Sequence, residues 1–490
     1  MTEQANHKLS ASDTRRLGRL AWPAYATSML IGIAGLLIAA MIGLLLDHGM
    51  VRFAHAYTAS FAFVLSIITG ALFLVLATHL FKGGWCVVIR RPLEVMAATT
   101  PKMAILFAPI LVFVLANNGT LYEWAQPYAQ MGGHGGEAAT QTEGDASSHA
   151  GANQHAGRAN IHLAANEAGS AGESDGSASA ADGHQSAGQK AGEHSGGHGL
   201  AHYVKLKQPY LSRGFFIIRW VIYFGIWTAL GLWFWRQSTR QDEDGDPQRT
   251  YRMEKVSAPG MLLFGLTLTF ASFDLLMSLD PLWYSTIFGV YYFAGCVLAA
   301  VTTTILSVLG LKRLGFFQCV NVEHFHDLGK LLFAFTFFWG YIAFSQYMLY
   351  WYGNVPPEVA WFQTHGFTTQ PLDMLQKGWG IVGIVLLFGH LLIPFAGLLS
   401  FHAKRNTKVL AFWAIWLLAM HLLDVIWVVM PEMTAREGIG FGAGDVMLLL
   451  ATLAAVVGLA AAGVIRMASH QSLVSMGDPR LGESLAFENH

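Results

Sequence analysis

Long apolar runs recur along this chain, and polar or charged residues separate them. About 20 apolar residues are needed to cross the hydrocarbon core of a bilayer. Ten stretches approach that length: Trp22 to Leu46, His55 to His79, Pro101 to Asn118, Phe215 to Trp235, Pro259 to Leu279, Tyr284 to Leu311, Leu328 to Tyr352, Gly378 to Ser400, Val409 to Met430 and Val446 to Ile465. The pattern predicts an all-α integral membrane protein with ten transmembrane helices.

Lysine and arginine are distributed unevenly between the two sides of these helices. One side collects Lys8, Arg15, Arg16, Arg19, Lys82, Arg90, Arg91, Lys102, Arg236, Arg240, Arg249, Arg252, Lys255, Lys312, Arg313, Lys330, Lys404, Arg405, Lys408 and Arg466. The short loops on the other side carry only Arg52, Lys377 and Arg436. Cytoplasmic loops are enriched in these residues, so both termini are predicted to be cytoplasmic.

This orientation divides the chain into five parts. Residues 1–21 form a cytoplasmic segment, 22–118 helices one to three, 119–213 a periplasmic loop, 214–468 helices four to ten, and 469–490 a cytoplasmic tail. From Gly132 to Gly199 the loop is rich in Gly, Ala, Ser and His and nearly free of large apolar residues. Such a composition cannot bury enough surface to offset the entropy of ordering, which predicts a disordered insertion whose role stays open.

Composition narrows the functional classes. The chain has 490 residues, of which 53% are hydrophobic and 12% charged, against about 25% charged in soluble domains. A net charge of −1 gives no indication of nucleic-acid binding. The three cysteines form no CxxC or CxxCH motif and no four-cysteine set. We therefore expect no metal or redox cofactor bound by this chain itself.

Several polar residues fall inside the predicted helices, where a titratable group is costly unless it is paired or hydrated. They are Asp274, Gln346, His390, His421 and Asp424. His421 and Asp424 are three residues apart and share a helical face. Pro394 cannot donate to the carbonyl of His390 and predicts a kink there. These side chains indicate an upper proton path, although each could also be a packed polar core residue.

A second polar group precedes the seventh helix and consists of His324, His326, Asp327 and Lys330. It could form the cytoplasmic opening of the same path, or its members could be ordinary interfacial anchors. Arg219, near the outer end of the fourth helix, is interpreted as a side chain that extends to the membrane interface.

Two stretches are specific enough to suggest a family. Ser272 to Gly295 reads SFDLLMSLDPLWYSTIFGVYYFAG, and His326 to Glu358 reads HDLGKLLFAFTFFWGYIAFSQYMLYWYGNVPPE. Together they resemble the F subunit of alternative complex III, a bacterial quinol:cytochrome c or electron-acceptor oxidoreductase whose membrane subunits are similar to the NrfD and polysulfide-reductase membrane anchors.

The resemblance implies a fold of two four-helix bundles plus flanking helices, ten in all, in the bacterial inner membrane. It also implies several partners: a homologous NrfD-like membrane subunit, an iron–sulfur subunit, haem c subunits and, in some assemblies, a terminal oxidase. In that setting the haem c and iron–sulfur clusters belong to the partners.

Three functions remain open for the chain itself. The first is a transmembrane proton path, with the group at the seventh helix as its lower half and the intramembrane residues as its upper half. The second is a quinol-binding or quinol-oxidising site, where a His/Asp pair would accept protons beside a cavity open to lipid. The third is a structural scaffold. A b-type haem between His390 and His421 is formally compatible with the sequence, without support from the family.

Overall fold

The computed structural model describes residues 16–116, 119–126, 206–367, 378–437 and 439–488. Within them, ten helical segments are long and apolar enough to cross a membrane, and we number them α1 to α10. Their bounds are Gly18–Leu45, Gly49–Leu80, Val87–Leu115, Arg213–Asp244, Gln248–Leu279, Phe288–Arg313, Val322–Gly353, Gly378–Leu399, Thr407–Ala435 and Ala443–Ala468. The described part of the chain contains helices and turns and no β-strand. The predicted all-α, multi-pass membrane fold is confirmed.

The ten segments pack as two groups of four with a flanking pair. Helices α2 to α5 contact one another in a first bundle, and α6 to α9 form a second. The bundles meet where α2 lies along α6, and α1 packs against α10 beside α2. This arrangement agrees with the expected two four-helix bundles plus flanking helices.

Two faces of the molecule follow from the alternation of the helices. We call the face with the α2–α3, α4–α5, α6–α7 and α8–α9 connections the basic face, and the other the opposite face. After α10 the chain folds back over the basic face, where Asp478 pairs with Arg90 and the Ser484 hydroxyl donates to the Trp85 carbonyl at 2.7 Å. The predicted cytoplasmic tail is therefore a packed part of the fold. The insertion from Gly132 to Gly199 lies outside the described residues.

The third span begins earlier than predicted, at Val87 rather than Pro101. The charges between these positions were interpreted as lying outside the membrane segment. They are buried and paired instead: Arg90 donates to Glu94 at 3.0 Å and also binds Asp478 of the C-terminal segment. An internal ion network offsets part of the cost of burying these charges, and a hydropathy pattern contains no information about such pairing.

Prolines also mark the helix ends less well than predicted. Pro259 was expected near a helix start and Pro431 just past a helix end, yet both lie inside helices, Gln248–Leu275 and Thr407–Glu437. Apolar length indicates the part of a helix that can lie in lipid, whereas these two helices continue into polar sequence beyond that part. The ends of the helices and the ends of the apolar runs therefore differ here.

Candidate functional site

The titratable residues predicted within the membrane are divided between the two bundles. His390, His421 and Asp424 lie in the second bundle on α8 and α9, whereas Asp274 lies in the first on α5. All four side chains are buried. The second bundle thus brings three of the four predicted titratable groups together.

The carboxylate of Asp424 accepts hydrogen bonds from two neutral side chains. The Tyr291 hydroxyl on α6 donates to Oδ1, and Nε1–H of Trp339 on α7 donates to Oδ2 at 3.2 Å. Nδ1 of His421 lies 4.0 Å from Oδ2, just beyond hydrogen-bonding distance. No lysine or arginine in the described ranges forms an ion pair with Asp424. Its environment therefore does not hold it permanently in the charged form.

His421 is held by contacts that leave one ring nitrogen available. Its Nε2 lies 2.8 Å from the Ser66 hydroxyl on α2, and its Nδ1, which is turned toward Asp424, has no hydrogen-bond partner. Gly295 on α6 makes room for the ring, since a Cβ there would lie 2.5 Å from the imidazole Cε1. Helix packing thus fixes the imidazole while Nδ1 stays free to accept or release a proton.

His390 contacts the ring of Trp339, and neither nitrogen of the His390 imidazole has a hydrogen-bond partner. The imidazole stacks on the indole of Trp339 at 3.8 Å between ring centroids, and its centroid is 6.4 Å from that of His421. It belongs to a π-helical turn, Leu387–Leu392, which ends two residues before Pro394. The irregularity predicted from this proline is present as a π turn, a feature that is frequent at functional sites.

These two histidines are not arranged as a facing pair of haem ligands. Nε2 of His421 contacts Ser66, its free Nδ1 is turned toward Asp424, and the ring of His390 is stacked on Trp339, whereas axial ligands turn nitrogens toward an iron from both sides of a porphyrin. More generally, no group of three or more His, Cys, Asp or Glu among the described residues is arranged to hold a metal ion.

A cavity of about 470 Å³ opens between α7 and α8 and reaches Asp424. Its wall is mainly aromatic and aliphatic, and consists of Phe288, Tyr291, Trp339, Gly340, Ala343, Phe344, Gln346, Tyr347, Trp361, Phe362, Phe367, Gly383, Ile384, Leu386, Leu387, Leu391, Leu392, Asp424 and Trp427. Phe344, Leu387 and Leu392 are exposed on the outer surface of these spans, so the cavity opens toward lipid. Gln346, predicted as a path residue, lines it with an Oε1 that has no partner.

Asp274 has a different environment and does not join this group. Arg219 on α4 donates to both its carboxylate oxygens, from Nε at 2.7 Å and from Nη2 at 2.8 Å, and the Tyr223 hydroxyl donates at 2.9 Å. The interpretation of Arg219 as an interfacial side chain is wrong, since it is 5% exposed. A buried carboxylate needs a partner, and the bidentate arginine favours the charged form of Asp274.

The group predicted as the cytoplasmic opening is used largely in local contacts on the basic face. His324 and Asn321 together cap the start of α7, and Nδ1 of His324 lies 2.6 Å from Oδ1 of Asn321. Nε2 of His324 lies 3.1 Å from the Ser484 carbonyl of the C-terminal segment. Asp327 and Lys330 form an ion pair. His326 packs edge-on against Phe401 at 4.7 Å. Continuity between these residues and Asp424 stays a prediction.

Tyr291, Trp339 and Ser66 belong to the site and were not predicted from the sequence. Tyr291 and Trp339 lie inside the two stretches that carry the family resemblance, but an aromatic residue in an apolar helix is usually a packing residue. Their hydrogen-bonding groups become informative only when three helices place them around Asp424. A buried carboxylate without an arginine is the signal that could have suggested a search for such donors.

No protein-family model matches this chain, and a search of curated proteins finds no match. Function is therefore inferred from the geometry of the two bundles and from the resemblance of the two stretches in α5 to α7.

Proposed function

We propose that this chain is a membrane subunit of a respiratory quinol-oxidising complex and that it provides a transmembrane proton path. The two stretches that resemble the alternative complex III subunit and the two-bundle arrangement of α2 to α9 support this assignment. In the proposed complex the electrons pass through iron–sulfur and haem c subunits to cytochrome c or a terminal oxidase. A homologous NrfD-like subunit is the other membrane partner.

The observation that carries the proposal is the contrast between the two buried aspartates. Asp274 is neutralised by Arg219, whereas Asp424 has only neutral donors and a histidine nearby. An ion-paired carboxylate keeps its charge, but a buried carboxylate without a cation can be protonated at a modest energetic cost. Asp424 is therefore the side chain best placed to take up and release a proton within the membrane.

Short distances connect Asp424 to the two histidines. A shift of roughly 1 Å would bring Nδ1 of His421 from 4.0 Å to hydrogen-bonding distance of the carboxylate. The unpaired nitrogens of His390 lie on the next ring, 6.4 Å away between centroids. Bound water can bridge such a gap. We propose that protons move between these three groups.

The orientation of the path is part of the proposal. The lysine and arginine asymmetry supports a cytoplasmic basic face, with both termini in the cytoplasm of a bacterial inner membrane. Protons would then enter from the basic face and leave at the opposite face.

Replacement of His390 by Phe should lower proton translocation about tenfold or more, since a relay group is lost. The ring keeps its stacking on Trp339, and removal of two unpaired buried nitrogens relieves a cost of about 1–3 kcal/mol. The complex should therefore be at least as stable as the wild type. Proton translocation per electron in proteoliposomes tests this, with His402→Phe, an exposed position, as the control. Unchanged translocation in His390→Phe would remove this residue from the path.

The cavity favours a second candidate function, the binding of quinol by this chain. Its volume of about 470 Å³ is within the range of small-molecule sites. Its opening between α7 and α8 suits a ligand that arrives from the bilayer, and Asp424, Tyr291 and Gln346 supply polar groups at its wall. A quinol bound there could pass its protons to Asp424 when it is oxidised by a partner subunit.

Substitution of Ala343 by Trp should fill the cavity and weaken binding of a short-chain quinone by about tenfold or more, since the ring would occupy the space that the ligand needs. Ala343 lines the cavity, whereas Ala40 is exposed on α1, and Ala40→Trp serves as the matched control. Binding is measured by quenching of tryptophan fluorescence in the wild type and in both variants, and the signals of the two variants are corrected for the added indole. Equal affinity in all three proteins would place the quinone elsewhere in the complex.

A further inference from the structure

A second acidic residue of α9 lies between Asp424 and the opposite face. Glu432 follows Asp424 by eight residues, about 12 Å along the helix axis, and falls on the side of α9 that also carries His421. Its side chain is buried. Oε1 of Glu432 lies 4.0 Å from Nδ1 of His365, at the end of the short helix Pro356–Thr364. Neither residue was singled out by the sequence.

The surroundings of His365 suit a ring that gains and loses a proton. Its Nδ1 lies 2.7 Å from the Trp361 carbonyl and its Nε2 lies 3.3 Å from the Val428 carbonyl. A neutral imidazole has a single N–H, so only the protonated ring can donate to both oxygens. Burial opposes that charge and lowers the pKa of His365 to about 4. The two carbonyl oxygens therefore stabilise the protonated imidazole, whereas its burial favours release of the proton.

This pair adjoins the cavity that contains Asp424. Trp361 stacks on His365 at 3.7 Å between ring centroids, and Trp427 meets it edge-on at 4.9 Å. Both tryptophans also line the cavity. The wall of the cavity is thus one aromatic layer thick at this point, with Asp424 on one side and His365 on the other.

We propose that Glu432 and His365 form the station from which protons leave the second bundle toward the opposite face. The proton on Asp424 enters water in the cavity, crosses the aromatic wall beside Trp361 and Trp427 to the Glu432 carboxylate, is shared with the His365 imidazole, and leaves to bulk water. Each step transfers one proton and needs no oxidant or other reactant. This inference rests on the proposed function, since it requires that Asp424 carries the proton.

The test is proton release from the intact complex in proteoliposomes during turnover with a short-chain quinol and its electron acceptor. Glu432→Gln should slow release about tenfold or more, because the amide cannot carry a proton, and Glu432→Asp should recover most of it. His365→Gln provides a second variant that removes the same station if Glu432→Gln assembles poorly. Glu358→Gln is the control, at a partly exposed residue of the short helix whose carboxylate accepts a hydrogen bond from the Tyr284 hydroxyl.

Two failures can be told apart by including Asp424→Asn. If Asp424→Asn blocks release while Glu432→Gln and His365→Gln stay within about twofold of the wild type, the exit station is wrong and the proton path stands. If Asp424→Asn also behaves as the wild type, the proposed function itself is wrong. Slow release in Glu432→Gln and His365→Gln together with normal release in Glu358→Gln supports the station.

Discussion

Asp424→Asn is expected to lower proton translocation by the assembled complex roughly 100-fold, the scale on which a positioned acid or base contributes. The amide has nearly the size of the carboxylate and still accepts a hydrogen bond from the Tyr291 hydroxyl, which now donates to Oδ1. It cannot bind or release a proton. Electron transfer from quinol to the acceptor should persist, because the redox centres of the proposed complex lie in other subunits.

The measurement is the ratio of protons translocated to electrons transferred in proteoliposomes, with assembly checked by gel filtration. Asp244→Asn is the matched control, since Asp244 lies at the end of α4 in an exposed ion pair with Arg249. A normal ratio in Asp424→Asn would contradict the path. A low ratio in both variants would point to a general effect of the substitutions.

Asp274→Asn should instead destabilise the protein, by about 3–5 kcal/mol, because it leaves the buried guanidinium of Arg219 without its counter-charge. In the wild type that guanidinium donates two hydrogen bonds to the carboxylate, at 2.7 and 2.8 Å. Stacking on Tyr210 at 3.9 Å offsets only part of the loss. We expect a lower thermal unfolding temperature and a smaller yield of assembled complex.

Removal of both charges distinguishes a structural pair from a proton carrier. Arg219→Met combined with Asp274→Leu should recover most of the stability, since a buried ion pair can often be replaced by apolar side chains. The double variant should also translocate protons normally. If the double variant is stable but inactive, Asp274 belongs to the path after all and the division between the bundles is wrong.

Much of the fold could be predicted because a bilayer leaves the backbone few options. Apolar length indicated all ten membrane segments, since a spanning helix must satisfy its own hydrogen bonds. The start of α3 could not be predicted, because Arg90 and Glu94 look like residues of a polar loop until Asp478, far along the chain, is placed beside them. Long-range pairing of this kind has no local sequence signal.

The candidate site could be predicted only within single helices. The spacing of His421 and Asp424 put them on one side of α9, and Pro394 indicated the irregular turn at His390. Which helix faces which is decided by packing, so Tyr291 and Trp339 were missed, and Asp274 was expected beside residues that lie in the other bundle. Asp274 and Asp424 look alike in the sequence and differ in the structure through Arg219.

Infrared difference spectroscopy of the complex tests the central claim most directly, since it records protonation of a carboxyl group through its C=O stretching band. Spectra of the wild type, Asp424→Asn and Asp274→Asn would be compared between resting enzyme and enzyme in turnover with quinol. We expect a carboxylic-acid band that changes in the wild type, persists in folded Asp274→Asn, and is absent in Asp424→Asn. The same band at full intensity in Asp424→Asn would show that another group carries the proton and would contradict the account.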